Sequence, residues 1–540
     1  MLVGRGKLGL VALNLPNFAG LLHLGHSLCR IPFDNPQCDQ DPNGCGQCLN
    51  ARRKCPGYRK PGDLVFKDES QKVVRKVKAD EARYYQKSAS STNSTNLSEE
   101  SQTGFDECLE IIRSDSTTLP AFNLAPTIED RAMAFFVANY VKPPDGPAIG
   151  HMPYLTRMSG GLPDGLLSSV KAVGLAGYAH SVDAPSLLRH ARYHYVRALR
   201  STNEALRSPI LATRDSTLVS ILILGIYETV TGTNQKSLKA WADHIFGASA
   251  LLKLRGRKQI YSHDGRQLFF QTVSMLLVTS IQQSLPLPDY IMEWTHEAKS
   301  LLEAPNLALI CQEVMMEFTM LNANICRGTL SDPETILTRC LELDRIMEEG
   351  FARPPPDWKY EIILTDAEPE LIYNGRYDIY HNYWISQVWN GMRCHRCLMN
   401  ERIRKTLLKG SSSKPPIFTS PSYTTLLQRS TDTMNALQAD ILATVPQHLG
   451  YASWNHRTPP PSATDRPWKP SRDPTNPLMH MSGSYFVLWP LWYAGIMDIA
   501  SEATQRYVVR NLLLIGRELG LQQALFLADV IQNKRDIGFN

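Results

Sequence analysis

No stretch of this 540-residue sequence stays apolar long enough to cross a bilayer. The most apolar run, Leu218 to Ile226, covers about nine residues where a spanning helix needs roughly 20, so it reads as a core helix. Strong charge is missing too. A net charge of +5 is small for this length, and whole-molecule electrostatics alone would not draw the chain to nucleic acid or a membrane surface. The usual catalytic signatures are absent: no G-x-x-x-x-G-K-[ST] phosphate loop, no G-x-G-x-x-G and no G-x-S-x-G elbow. His296-Glu297 opens like a two-histidine zinc helix, but Ser300 stands where the second histidine must be. Cys394-His395-Arg396-Cys397 has no second ligand pair nearby, carries its histidine inside the pair, and reads as a basic helix whose cysteines pack. No Asp-Asp pair exists, which removes the acidic metal motif an all-helical cyclase needs. These absences point away from an enzyme. At the N-terminus, Arg5 and Lys7 precede an apolar run as in a secretory signal. Asn14, Pro16 and Asn17 interrupt that run, however, and no small-x-small cleavage site follows, so a signal peptide is not expected.

What is present is uneven. Eleven cysteines occur, and Cys29, Cys38, Cys45, Cys48 and Cys55 crowd one short stretch; the other six are scattered and read as buried thiols. Composition divides the chain into an irregular apolar 1–36, a cysteine-rich 37–60, a basic helical 61–87, a polar 88–125 and a large helical region, 126–540. Ser, Thr, Asn and Glu dominate the fourth zone, which cannot repay the entropy of ordering and reads as a disordered linker broken by a short amphipathic piece, Cys108 to Ile112. The uneven 1–37 also has the character of a misplaced start or a retained intron.

The fold class expected is mostly α: a small metal module, a linker and a large, irregular, all-helical domain. Pro126-Thr127 followed by Ile128-Glu129-Asp130 supplies a capping-type start for a helix over 127–142. Further helices are expected at 163–180, 184–206, 212–231, 237–254, 264–282, 289–302, 304–327, 332–349, 368–408, 421–445, 482–501, 503–518 and 520–533. Hardly any stretch alternates with period two. Arg255-Gly256 marks a helix stop, with cations in the last turn and glycine beyond. Seven prolines forbid regular helix across 456–477, which reads as a surface loop.

The spacing Cys38-x6-Cys45-x2-Cys48-x6-Cys55 suits metal–thiolate chemistry, because a C-x2-C pair directs two sulfurs at one ion while the longer arms close the shell. Arg52, Arg53, Lys54, Arg59 and Lys60 lie in or beside the last arm, where cations lower thiol pKa values and can also contact phosphate. The run from Cys45 through Arg59, followed by Asp63 to Ser70, resembles the second half of a fungal Zn2Cys6 binuclear cluster. In that family six thiolates hold two zinc ions, with two bridging them. The resemblance implies that Cys38, Cys45, Cys48 and Cys55 are metal ligands, with Cys45 at a bridging position, and that the adjoining cations contact DNA. The first half departs from the pattern: the family's opening C-x2-C-x6-C would need cysteines where Leu28 and Ile31 stand, and the basic helix after the first pair is missing. A binuclear cluster is therefore not expected. One Zn2+ on the four thiolates, or on Cys29 and three of them, keeps a closed tetrahedral set.

Across 52–87 twelve Lys or Arg face five Asp or Glu, about +7, so the positive charge is local, as phosphate binding and nuclear import require. Phe66, Val73, Val77 and Tyr84 could form a dimer seam, but Ser70 and Asp80 occupy its other positions. Trp241 to Ala248, Leu251 to Gly256 and Trp489 to Gly495 resemble the large helical region the same family carries; physically each reads as packing. The resemblance implies a nuclear regulator of RNA polymerase II transcription, with promoter DNA, the transcription machinery and a second copy as partners. Metabolic or secondary-metabolite gene clusters are the targets it implies. The alternative is a helical interaction or effector-sensing protein that has lost its zinc cluster and does not bind DNA.

Overall fold

In the computed structural model, residues 126–141, 154–155, 161–302, 307–366, 369–451 and 481–533 are described. The Pro-rich 456–477 lies outside them. The first helix, α1 (Ile128–Phe136), begins with the expected cap: Asp130 N–H donates to Thr127 Oγ1 at 3.1 Å, and Thr127 N–H donates back to Asp130 Oδ2 at 3.1 Å. Two orphan amides of the first turn are thereby satisfied. One turn of π-helix, Val137–Val141, continues it.

The next helices are α2 (Asp164–Ser181), α3 (Leu187–Leu206), α4 (Pro209–Ala212), α5 (Asp215–Thr231), α6 (Gln235–Arg255), α7 (His263–Gln283) and α8 (Asp289–Ser300). Nearly all of α5 is buried, from Thr217 through Tyr227, because its apolar residues run all the way round the helix and its neighbours enclose it. No described helix is long and apolar enough to cross a membrane. Gly174 lets α2 press against α1, since a Cβ there would lie 2.2 Å from the Ala132 carbonyl oxygen. Gly256 ends α6 at φ 74°, a conformation that side chains with a Cβ rarely adopt.

Beyond them lie α9 (Leu307–Cys326) and α10 (Pro333–Ala352), then β1 (Tyr360–Leu364) and β2 (Arg376–Tyr380). The chain continues with α11 (Tyr383–Ser411), α12 (Pro421–Ala443), the single turn α13 (Val445–His448), α14 (Met481–Ile496), α15 (Glu502–Arg517) and α16 (Gln523–Gln532). The main core cluster of buried apolar side chains runs from Ala132 to Ile531, and Ile372, Tyr377 and Ile379 form a second, smaller one.

The body is helical as expected, and the short β1–β2 hairpin within it corrects one expectation, a single helix over 368–408. The strands pair antiparallel, with Tyr360 opposite Tyr380 and Leu364 opposite Arg376. Asn374 and Gly375 take positive φ (52° and 65°) directly before β2, and Thr365 N–H donates to Gly375 O at 2.8 Å, extending the pairing beyond Leu364 and Arg376. By the antiparallel alternation, Tyr360, Ile362 and Leu364 turn their backbone groups away from β2, and Tyr380 turns its own away from β1. The Gln447 amide meets Tyr380 on that side: its Nε2 donates to Tyr380 O at 2.7 Å and its Oε1 accepts from Tyr380 N at 2.9 Å. Asn382 then caps α11, its Oδ1 accepting from Ile385 N at 3.0 Å.

Candidate functional site

The residues assigned from sequence to metal and DNA, namely Cys29, Cys38, Cys45, Cys48, Cys55, Arg52, Arg53, Lys54, Arg59 and Lys60, lie outside the described residues, as does the basic stretch 61–87. The described polar chemistry sits in the helical body, in three groups.

The first joins α3, α5 and α6. Tyr195 stacks on Tyr227 with ring centroids 4.2 Å apart, and its hydroxyl donates to Glu228 Oε1 at 2.5 Å. The Tyr195 hydroxyl also lies 3.4 Å from His244 Nε2. Burial, reinforced by Glu228, holds the Tyr195 phenol well above its usual range, while burial pushes His244 down to about 4. Trp241 is buried, as expected, and packs over Gly225. Glu228 and His244 remain partly exposed, so the group is a polar notch that can accept hydrogen bonds from outside. It contains no activated nucleophile.

The second group contains the Cys394-to-Cys397 run. All four side chains are buried, so α11 is an internal helix there, with its cysteines packed as expected. Arg396 is neutralised by Asp344, at 2.7 and 3.1 Å, and by Glu348 at 2.9 Å, both on α10. Cys311 Sγ lies 3.6 Å from His395 Nδ1. Burial pushes the thiols of Cys311 and Cys394 up to about 12 and about 11, and pushes His395 down to about 3. Near neutral pH these are protonated thiols beside a neutral imidazole, the state of packing residues. Among the described residues no group of three or more His, Cys, Asp or Glu is arranged to hold a metal.

The third group is a buried cation. The Arg393 guanidinium of α11 lies 5.4 to 5.8 Å from the ring centroids of Tyr360, Trp389 and Tyr380. It donates to Tyr380 Oη at 2.8 Å and Asn390 Oδ1 at 3.1 Å. Its Nε sits 3.8 Å from Asp440, too far for a hydrogen bond, and Asp378 lies 4.0 Å away. Asp378 is fully buried and is gripped in addition by Arg376, at 3.0 and 2.9 Å. Burial raises the Asp378 carboxyl, partly offset by Arg376 and Arg393; burial also works against the Arg393 charge, but the surrounding phenols and carboxylates outweigh it and hold that group above its usual value. The arrangement pins the hairpin to α11 and α12. Sequence reading missed it, because Arg393 shares its face with Ser386, Asn390, Arg396 and Asn400, which reads as a polar surface.

Residues 152–304, which span α2 to α8, match the family described as fungal specific transcription factor domain. That region contains the Tyr195–Glu228–His244 notch. The transcription factor dbaG of Emericella nidulans is 21% identical over 429 residues, covering 74% of this chain and 91% of that protein. These findings support a transcription regulator. No solved structure matches the chain. Within the matched region lie the strings Trp241 to Ala248 and Leu251 to Gly256, two of the three on which the sequence resemblance of the helical region rested.

Proposed function

We propose that this chain is a nuclear regulator of RNA polymerase II transcription of the fungal zinc-cluster class, acting on promoter DNA of a metabolic or secondary-metabolite gene cluster. The observation that carries the reading is one chain holding both the Cys45-to-Arg59 run and, about a hundred residues on, a region matching the fungal specific transcription factor domain. The donor set suits one zinc: Cys38, Cys45, Cys48 and Cys55 supply four thiolates for a closed tetrahedral shell. Bound there, the ion would supply folding energy to the module, and Arg52, Arg53, Lys54, Arg59 and Lys60 would meet phosphate.

A specific observation favours a second reading. Leu28 and Ile31 stand at the ligand positions a binuclear cluster needs, which fits a helical interaction or effector-sensing protein that no longer reads DNA. The full chain separates the two. Zinc is counted by elemental analysis, and binding to genomic fragments is footprinted across a salt series, with Cys45→Ser/Cys48→Ser alongside. A footprint at defined sites that vanishes with the double substitution and weakens steeply with salt supports the first reading. Absence of any defined footprint, whatever the zinc count, establishes the second.

A further inference from the structure

Helix α3 carries its charge on one side. Ala191, His194, Tyr195, Ala198 and Thr202 face the core, while Arg189, Tyr193, Arg197, Arg200, Glu204 and Arg207 recur every three or four residues on the opposite, solvent-facing side. From Arg189 to Arg207 this stripe runs about 27 Å at the helical rise. Arg189 and Arg200 have no acidic partner among the described residues, and the contact from Arg197 to Asp164 is long, 3.8 Å, and exposed. Tyr193 is 62% exposed in the middle of the stripe. Arg189, Arg197 and Arg200 around an exposed aromatic ring complement a segment carrying acids and apolar side chains together.

Such a segment precedes α1 in this chain. Between Leu97 and Asp115 stand Glu99, Glu100, Asp106, Glu107, Glu110 and Asp115 against the lone Arg113, interleaved with Phe105, Leu109, Ile111 and Ile112. Its tether leads into α1, whose first-turn Glu129 lies 4.0 Å from His194 on the core-facing side of α3, about one helix width from the stripe. The twelve residues from Asp115 to Thr127 reach about 40 Å when extended. Every point of the stripe lies within roughly 20 Å of His194 along the helix.

We propose that the acidic segment 99–115 docks on the arginine stripe of α3 within the same chain. Single exposed ion pairs are weak, but several acting together on a short tether share an effective concentration in the millimolar range. The inference goes beyond the proposed function and does not require the chain to bind DNA.

The test uses the full-length chain at low ionic strength, with amide exchange of residues 97–115 followed by mass spectrometry. In Arg189→Glu/Arg197→Glu/Arg200→Glu, whose substituted side chains are solvent-exposed, exchange in 97–115 should rise about fivefold, the change for a segment docked roughly four-fifths of the time. Salt near 0.5 M should do the same to the unaltered chain. Adding Glu99→Arg/Glu107→Arg/Glu110→Arg to the α3 variant should return the protection. Thermal unfolding of each variant checks that the helical body is intact. Exchange in 97–115 that is unchanged by both charge reversal and salt overturns the proposal. So does a reversal that alters only the salt dependence of duplex DNA binding, which assigns the stripe to phosphate.

Discussion

Replacing Arg393 by methionine keeps most of the side-chain volume and removes the charge. The substitution deletes the hydrogen bonds to Tyr380 and Asn390 and the cation over the rings of Tyr360, Trp389 and Tyr380. Asp378 keeps its two bonds from Arg376 but loses a second cation 4.0 Å away, in a site where the carboxylate is fully buried. Breaking a buried ionic cluster from one side costs about 3–5 kcal/mol, because the remaining charge is left short of compensation. Arg393→Lys should lose less, about 1–3 kcal/mol, since an ammonium retains the charge but not the planar fork. Urea unfolding read by tryptophan fluorescence suits the question: Trp389 Nε1 donates to Trp358 O at 3.0 Å, so both rings sit at the hairpin's attachment. A double-mutant cycle with Asp378→Asn isolates the pair and should return a coupling above about 1 kcal/mol. A loss below about 1 kcal/mol for Arg393→Met would mean that Arg376 and Asp440 balance the site alone, and the pinning argument would fail.

The remaining predictions concern other contacts. Burial holds His448 down to about 4, and its ring is locked between Ser386 Oγ at 2.9 Å and the Gly483 carbonyl at 3.0 Å, so Nδ1 donates and Nε2 accepts. A histidine depressed in the fold stabilises it above the unfolded value near 6.5, and that contribution is lost as pH falls toward 4, by up to about 3 kcal/mol. The decline in urea midpoint between pH 6.5 and 4.5 should flatten in His448→Gln relative to the parent chain; parallel curves would refute it. Gly174→Ala should cost about 1–3 kcal/mol by forcing α1 off α2, visible as faster amide exchange over 128–136, and unaltered exchange there would count against the close approach. Tyr195→Phe should cost about 1–2 kcal/mol through the lost bond to Glu228 while leaving the stacking on Tyr227, as measured by urea unfolding, and no loss would show that the notch is held by stacking alone.

Much of the helical body was legible because its signals are local. Thr127 and Asp130 announce the first cap three residues apart, and Gly256 follows basic residues at a helix end. Helix bounds expected from periodicity fall within a few residues of those observed, except over 368–408. There the signal was weak: residues 365–375 separate the strands, too many for a two-residue turn, and Tyr360 to Leu364 shows no clean alternation in burial. Juxtapositions between distant residues were out of reach. Nothing near Arg393 in sequence indicates Asp378 or Asp440, and Tyr195, Glu228 and His244 come from three helices whose packing sets their meeting. The cysteine run was the reverse case, plain from spacing alone and outside the described residues.

Gln447 has a further consequence. A primary amide carries a donor and an acceptor at the spacing of a peptide group, so one side chain occupies the hydrogen-bonding slot that a third strand would take beside Tyr380. On that flank the ribbon can add no neighbour without first expelling the glutamine. The opposite flank bears Ile362 and Leu364, exposed at 55% and 78%. Any recruitment of another extended chain, whether on heating, at high concentration or during incomplete folding, therefore has a fixed polarity: it starts from Tyr360 to Leu364, and a lysine at Leu364 should slow it.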